Sequence, residues 1–593
     1  MKRSICLLLC IVFLSGILFG CDPEDKTDAE TSAVSDPVDA DFSKTDTDMF
    51  TDRDRQTEYS ESSSVLVDLG NPAAAPGVTV SGSKVTVTQE GTYILRGSLA
   101  DGQIVVDAGE NAKLQLVLNN VSVTSSTSAA LYILSADKVF VTLAEGTENS
   151  FQNGGVFEAI DENNIDGAIY SRQDLTFNGS GSLTLTSPVG HGIVCKDDLV
   201  FTGGQFTVNA ASHGLDVNDS VRIADGRITI NAGKDGIHVE NTDDATLGFV
   251  YISDGQLTIA ADGDGISSGY YTQISGGTFD LLCGGGYENG TKESSGGYGG
   301  FLGSGRPGGN GGNSATTQSD GTSMKGIKSG SGILVDGGAF TIDSADDGVH
   351  GASDVIINGG DWKIASGDDG VHSDTVLTVT AGEFAIEECY EGLEAEKIYI
   401  RGGEFEIHAS DDGLNAAGGT DSSGGGGRDE MFGGGRPGGG GKPGGMGGNA
   451  NACIEISGGQ LKIYSGGDGL DSNGSLLISG GNTYVTNPTS GDVSVLDSQN
   501  TPEITGGTYI GLGISSMMAQ SFGGNSTQGV IACTCGTQAA GSALVIKDSS
   551  GKEILSLTTE YKTYLLIIST PEIVSGQSYD ISIGQVSGTI TAE

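Results

Sequence analysis

The stretch "SADDGVHGASDVIINGGDWKIASGDDGVHSDTVLTVTAGEFAIEE", from Ser344 to Glu388, contains nearly the same phrase twice. Asp-Asp-Gly-Val-His occupies Asp346–His350 and returns 22 residues later at Asp368–His372. A fixed period this short is typical of a solenoid, in which each repeat buries its apolar face only against its neighbours. The stretch therefore predicts a stack of similar coils.

The period continues through much of the chain. The glycine of the phrase recurs, mostly at steps of 21, 22 or 25 residues, at Gly167, Gly192, Gly214, Gly236, Gly265, Gly326, Gly348, Gly370, Gly392, Gly413, Gly469 and Gly491. The two longest steps contain glycine-rich stretches at 284–323 and 418–451. We interpret these stretches as loops inserted into an intact period.

Each repeat has the pattern of three short strands separated by turn residues such as Ala-Gly and Asp-Asp-Gly. After the second turn, large apolar residues alternate with polar ones, as in Phe340/Ile342 and Trp362/Ile364, which indicates one inward strand face. Trp362 stands in a column of phenylalanines, so we interpret it as core rather than as a sugar platform. The pattern predicts an all-β fold, a right-handed parallel β-helix with three strands per coil of about 22 residues, capped at both ends.

The chain divides into five predicted regions. They are a lipoprotein signal peptide at 1–20, an acidic disordered tether at 21–63, an N-terminal β cap with the first coils at 64–160, the parallel β-helix at 161–500 and a C-terminal β cap at 501–593. The apolar run of the signal ends in Leu-Phe-Gly-Cys, which resembles a bacterial lipobox with Cys21 as the lipidated residue. We predict a lipid-anchored protein on the extracellular face of a bacterial membrane; an ordinary signal cleaved nearby is the alternative.

Charge limits the partners. The 593 residues carry a formal net charge of −48, which disfavours nucleic acid and anionic membrane surfaces because both would be repelled. This charge favours cations, and it allows acidic polymers where a metal bridges them. Beyond the signal and Cys21, the remaining six cysteines show no zinc-type spacing, and we interpret them as small residues of the coil stack.

Acidic residues recur directly before the repeat glycine. On four consecutive repeats this position holds Asp347, Asp369, Glu391 and Asp412, and a second acid precedes three of them as Asp346, Asp368 and Asp411. Equivalent residues of stacked coils lie about 4.8 Å apart, so these carboxylates repel one another unless a cation bridges them. Ca²⁺ prefers several oxygen ligands, and we predict that these seven side chains bind it. Solvated Asp-Gly turns without metal are the alternative.

A second set of polar residues lies two positions after the glycine. Because the residue between is apolar, this set is predicted to face outward, and the two inserts bracket it. We predict that it binds polysaccharide through Lys328, His350, His372, Glu394 and Asn415. No catalytic residue is predicted, since nearly every polar position follows the repeat. Three alternatives remain: a calcium-dependent lyase with Lys325, Lys328, His350 or His372 as its base, a hydrolase using Glu391, Glu394 or Glu396, and a structural or adhesive surface protein.

Several segments together resemble one family. They are "EGTYILRGSLADGQIVVDA" (90–108), "NIDGAIYSRQDLTFNGSGSLTLTS" (164–187), the DDGVH repeats and "GGTYIGLGISSMMAQSF" (506–522). They resemble the bacterial surface lipoproteins called carbohydrate-binding domain-containing proteins over about residues 65–590. The resemblance implies a β-helix similar to those of polysaccharide lyases, calcium binding, and plant cell-wall polymers such as pectate and cellulose as partners. It supplies no catalytic motif.

Overall fold

The protein is described by a computed structural model covering residues 41–157, 164–290, 292, 323–417, 451–489, 491 and 493–593. The predicted signal peptide, the beginning of the tether, most of the first insert and nearly all of the second lie outside these residues. The described residues confirm the all-β prediction, since their helical segments are only Asp46–Met49 and a 3-10 turn at Tyr287–Asn289. No helix within the described ranges has the length and apolar character needed to cross a bilayer.

Most strands belong to three parallel ladders, in which a strand pairs with the equivalent strand of the next repeat. The first ladder contains Lys84–Val87, Gln103–Asp107, Leu131–Ser135, Gly167–Ser171, His191–Cys195, Leu215–Val217, Ile237–Val239, Ile266–Ser268, Ile327–Ser329, Val349–Gly351, Val371–Val379, Leu393–Ile400, Leu414–Ala416, Leu470–Ser472 and Asp497–Ser498. The second contains Val65–Asp68, Gly91–Leu99, Lys113–Ser125, Lys138–Leu143, Asp174–Gly179, Asp198–Ala210, Ser220–Ala232, Phe249–Ile252, Thr272–Ile274, Ile333–Val335, Val355–Ile357, Val371–Val379, Leu393–Ile400, Cys453–Ile456, Ser475–Ile478 and Glu503–Ile504.

Gly91–Leu99 begins the third ladder, since its Leu99 pairs with Val123 of the next strand. The third ladder shares this strand and three other long strands with the second. It contains Lys113–Ser125, Glu148–Asn153, Ser182–Ser187, Asp198–Ala210, Ser220–Ala232, Gln256–Ala261, Thr278–Cys283, Ala339–Ser344, Asp361–Ser366, Glu383–Cys389, Glu404–Ala409, Gln460–Ser465, Asn482–Asn487 and Thr508–Gly513. Val371–Val379 and Leu393–Ile400 likewise serve both the first and the second ladder. The side chains that all three ladders direct inward form one continuous apolar core.

Aromatic rings of the third ladder stack in register within this core. Phe340 pairs with Trp362, and Trp362 pairs with Phe384. The Trp362 ring lies 3.8 Å from the ring of Phe340 and 5.8 Å from that of Phe384, and only 2% of the residue is exposed. The interpretation of Trp362 as core is confirmed. The six cysteines are free, and four of them are buried while Cys453 and Cys533 are partly exposed.

The segment 41–63 differs from the disordered tether expected across 21–63. Met49 and Phe50 pack with Tyr251 in an apolar cluster on the outside of the second ladder. The buried carboxylate of Asp54 lies 2.9 Å from Lys138 Nζ, and it accepts a hydrogen bond from Thr176 Oγ1. The tether prediction is therefore wrong for the described part of the segment. A few apolar side chains and one buried ion pair hold this segment against the ladder. The tether prediction rested on the overall acidic composition, which does not reveal such individual contacts.

Antiparallel strands follow the last repeat. Thr563–Ser569 pairs with Thr508–Gly513, the last strand of the third ladder, and with Ile531–Gln538. A separate four-stranded sheet contains Ala543–Asp548, Glu553–Thr558, Ser578–Ile583 and Val586–Thr591. At the other end, Val78–Ser81 forms an antiparallel hairpin with Lys84–Val87. The pairing with Thr563–Ser569 satisfies backbone groups that the end of a parallel ladder would otherwise leave open.

Candidate functional site

The repeat glycines position two columns of side chains beside the first ladder. We define the first column as the residue directly before each repeat glycine and the second column as the residue two positions after it. The second column is in the register that the period predicts: Lys328 pairs with His350, His350 with His372, His372 with Glu394, and Glu394 with Asn415. Five side chains that are far apart in the chain thus form one continuous row.

The second column is less exposed than predicted. His350, His372 and Asn415 are 7%, 1% and 8% exposed, whereas Lys328 and Glu394 are partly exposed. The prediction that the column faces outward is wrong for those three residues. The alternation of side chains along a strand predicts only that these residues point away from the core. It does not show that carboxylates of the same and neighbouring repeats cover them.

The carboxylates of the first column connect one repeat to the next. Asp347 Oδ1 accepts a hydrogen bond from the backbone N–H of Asp369 at 3.1 Å, and Asp369 Oδ1 accepts one from Glu391 at 3.3 Å. The remaining oxygen of each aspartate faces a histidine of its own repeat, since Oδ2 of Asp347 lies 2.9 Å from Nδ1 of His350. In the next repeat, the corresponding distance between Asp369 and His372 is 3.1 Å. The repeated Asp-Gly-Val-His phrase therefore builds a carboxylate that binds both its own histidine and the following repeat.

Two lysines form ion pairs with the beginning of the acidic column. The buried Lys325 Nζ lies 3.0 Å from Asp346 Oδ1 and 2.5 Å from Asp347 Oδ2. Lys292, which belongs to the first insert, lies 2.5 Å from Asp368 Oδ1. Although burial opposes ionisation, Lys325 and His350 hold the pKa of Asp347 well below its ordinary value. Lys325 therefore relieves the repulsion at Asp346 and Asp347, whereas burial and the charges of Asp369 and Asp347 still raise the pKa of Asp368 to about 10 despite Lys292.

His372 is a further cation in this part of the column. Burial disfavours its charge, but hydrogen bonds to Asp369, Asp374 and Glu394 raise the pKa of His372 well above its ordinary value. Its Nδ1 lies 2.8 Å from Glu394 Oε2, and its Nε2 lies 3.2 Å from Asp374 Oδ1. A protonated imidazole has no free lone pair, so His372 is a poor candidate for a catalytic base.

The end of the acidic column lacks such cations. Two of the predicted ligands, Asp411 and Asp412, meet Asp468 and Asp471 of the next repeat, which in turn lie near Asp497 of the repeat after it. Among the described residues, none of these five carboxylates forms an ion pair with a lysine, arginine or histidine. Glu391 lies one repeat earlier, and its Oε2 accepts a hydrogen bond from Asn415 at 2.9 Å.

The crowding of these carboxyl groups raises their pKa values. Burial, followed by the charges of Asp468 and Asp411, raises the pKa of Asp412 well above its ordinary value. Burial, with Asp471 and Asp497, raises the pKa of Asp468 to about 7, and burial with Asp497 raises that of Asp471 to about 6. A cluster of hard oxygen atoms without a cation is suited to Ca²⁺.

The sequence hypothesis missed part of this group. Asp468, Asp471 and Asp497 were not among the predicted ligands, because the insert at 418–451 separates them from the regular repeats. The repeat count did reach Gly469, but the acidic column was followed only over the four consecutive repeats before the insert, so Asp468 was left out. No sequence signal identified Lys292, which lies in a glycine-rich insert.

Comparisons with known proteins give one family and two relatives. A family model described as carbohydrate-binding domain-containing protein matches residues 81–370 and 368–493. A carbohydrate-binding domain-containing protein of Acetivibrio thermocellus is 40% identical over 145 residues, which are 24% of this chain and 51% of that protein. The chain thus spans about half the length of this curated relative. The solved structure of a polysaccharide lyase-like protein from C. thermocellum, a gadolinium derivative, is 38% identical with a TM-score of 0.35, covering 37% of this chain and 90% of that one.

Proposed function

Because this chain belongs to the family of carbohydrate-binding domain-containing proteins, we propose that it binds polysaccharide, and that Ca²⁺ held by the acidic column takes part in the binding. The family match supports the class of ligand. The cluster of Asp411, Asp412, Asp468, Asp471 and Asp497 supports the cation, since these carboxylates raise one another's pKa values and a bound cation would relieve their repulsion.

We further infer that the scaffold is a right-handed parallel β-helix. Three observations support it: the ladders are parallel, the pairing advances by one repeat at a time, and most repeats are about 22 residues long. The hand follows from the strong preference of parallel crossover connections for the right-handed form.

The calcium proposal is strongest at the end of the column. Ca²⁺ takes six to eight oxygen ligands, and carboxylates from three successive repeats lie near one another here. At Asp346, Asp347 and Asp368, a calcium ion would first have to displace lysine nitrogens, and at Asp369 it would have to displace the imidazole of His372. We therefore place the principal metal at Asp411, Asp412 and Asp468, with Glu391 at its edge.

The polymer that fits this chemistry is acidic, such as the pectate of plant cell walls. Ca²⁺ with open coordination positions can bind a uronate carboxylate, which the bare protein, at −48, would repel. Lys328 and Glu394 are the partly exposed members of the second column and are available to sugar groups. His350, His372 and Asn415 are assigned a supporting role, since they hold the carboxylates around these two residues.

The place of action is proposed from the sequence. Cys21 and the preceding signal lie outside the described residues, so the lipid anchor and the extracellular location rest on the Leu-Phe-Gly-Cys motif alone. An anchored protein with a polysaccharide-binding body would hold a bacterial cell against a plant polymer.

A sedimentation assay tests this function. The mature chain is mixed with insoluble pectate or with cellulose, in millimolar calcium or in excess chelator, and the bound fraction is measured. We expect pectate binding that requires calcium and is lost in an Asp412→Asn/Asp468→Asn variant. Asp280→Asn, an exposed acid of the third ladder, is the matched control.

The same assay separates the alternatives. Binding to cellulose that is indifferent to chelator would overturn the calcium-bridged mode, and failure to bind either polymer would favour a structural surface protein. Release of unsaturated uronate products would favour a lyase.

A further inference from the structure

Histidines are concentrated beside the first ladder. Five of the six histidines of the chain lie in the two columns, and three of them form a stack before the acidic site. The rings of His191 and His213 are 5.2 Å apart with an interplanar angle of 9°, and those of His213 and His238 are 4.4 Å apart with an angle of 18°. Their repeats precede Gly265, so this stack is separate from the acidic cluster at Asp412.

One carboxylate lies between two of these rings. Asp235 Oδ2 is 3.3 Å from Nδ1 of His213 and 3.0 Å from Nδ1 of His238. The other oxygen, Oδ1, accepts the backbone N–H of Asp264 at 2.8 Å, which fixes the orientation of the carboxylate. Burial lowers the pKa of His238, but its contact with Asp235 outweighs burial and raises that pKa above its ordinary value. One carboxylate oxygen thus lies close to a nitrogen atom of each of two stacked imidazoles.

The spacing matches that of a tetrahedral metal site. With bonds of about 2.0–2.1 Å to nitrogen and oxygen, two ligands of a tetrahedral Zn²⁺ lie about 3.3 Å apart. The two measured distances from Asp235 Oδ2 are close to this value, and ligand atoms of all three residues lie within 4.8 Å of one another. Imidazole nitrogen suits zinc and its neighbours in the transition series, whereas calcium prefers oxygen alone.

We propose that His213, Asp235 and His238 form a binding site for a divalent transition metal of the Zn²⁺ type. Asp216 or water completes the coordination, since Asp216 groups within 4.8 Å with His213 and His191 on one side and with His238 and Glu240 on the other. The site is independent of the proposed polysaccharide function and of the calcium cluster.

Two existing contacts change when the metal binds. The backbone N–H of Asp235 donates to Nδ1 of His213 at 3.2 Å, and a metal at that nitrogen displaces this long hydrogen bond. Lys196 lies 2.9 Å from Glu240 and 3.6 Å from Asp216, so it holds these two carboxylates in the metal-free chain. A metal ligated by Asp216 would leave Lys196 with Glu240.

Zinc titration of the full mature chain by calorimetry, without glycan and in saturating calcium chloride, tests the site. We expect one Zn²⁺ per chain with a micromolar or lower dissociation constant. His213→Gln/His238→Gln should weaken binding at least tenfold, and so should Asp235→Asn, which keeps the shape of the side chain and remains informative if the double variant does not fold. Co²⁺ in place of Zn²⁺ should show the visible absorption of a tetrahedral site.

His408→Gln is the matched control, because His408 is partly exposed and lies on the third ladder. His350→Gln/His372→Gln tests the other histidine pair. The proposal is overturned if wild-type protein binds zinc no better than the His213/His238 variant, or if only the His350/His372 variant loses the metal. Because calcium is saturating in every arm, failure of the calcium proposal does not affect the result.

Discussion

Replacing Asp468 by asparagine should change the stability of the protein in opposite directions with and without calcium. The folded chain partly buries Asp468 and crowds it against Asp471 and Asp497, which raises its pKa to about 7, compared with 3.8 for a free aspartate. A carboxyl with a higher pKa in the folded chain binds its proton more tightly there. Stability is therefore lost as the pH rises from about 4 through 7, and the penalty is complete above 7.

The size of the penalty follows from the shift. About three pKa units correspond to about 4 kcal/mol at most, and partial exposure reduces the value to be expected to about 2 kcal/mol. In chelator at pH 8, the neutral asparagine side chain of the variant escapes this cost, so Asp468→Asn should be about 2 kcal/mol more stable than wild type. In millimolar calcium the order should reverse, because only the wild type gains the full metal-binding free energy.

Denaturant unfolding at pH 5 and pH 8, in chelator and in calcium, measures both effects. Asparagine keeps the Oδ1 atom that accepts the backbone N–H of Ser494, so packing is preserved. In chelator the difference between variant and wild type should shrink at pH 5, where Asp468 is protonated in the folded chain. Asp280→Asn should change stability equally in all four conditions. A variant that is less stable than wild type in chelator at pH 8, or a wild type that is indifferent to calcium, would refute the reasoning.

Three further changes test other parts of the molecule. His372→Gln removes a buried cation whose pKa is raised, so it should cost about 3 kcal/mol of stability at pH 6. This loss should shrink as the pH rises through the folded pKa of His372. Urea unfolding across pH 6 to 10 measures the loss, and a loss that does not change with pH would contradict the charged state of His372. Trp362→Ala should cost about 3–5 kcal/mol by leaving a cavity in the ring stack, yet leave pectate sedimentation unchanged, whereas a selective loss of binding would restore the sugar-platform interpretation. Cys21→Ser should remove lipid labelling and release the protein into the medium or leave it unprocessed, and unchanged labelling would refute the anchor.

The sequence alone determined which residues occupy equivalent positions on successive strands. The 22-residue period of the Asp-Gly phrase placed Lys328, His350, His372, Glu394 and Asn415 in one row, and the strand register agrees at each step. The alternation of apolar and polar residues along its strand likewise placed Trp362 in the core. These features could be predicted because a parallel ladder repeats one local geometry, so spacing along the chain converts directly into stacking in space.

Tertiary structure decided burial and charge balance. The period cannot show that Lys292 and Lys325 form ion pairs with Asp368 and Asp347, while Asp412 and Asp468 have no cation partner in the described residues. It also cannot show that His372 is buried and charged, because those properties depend on side chains brought in from an insert and from other repeats. Burial and pKa are set by everything within a few ångströms, and a one-dimensional repeat records only the neighbours of its own column.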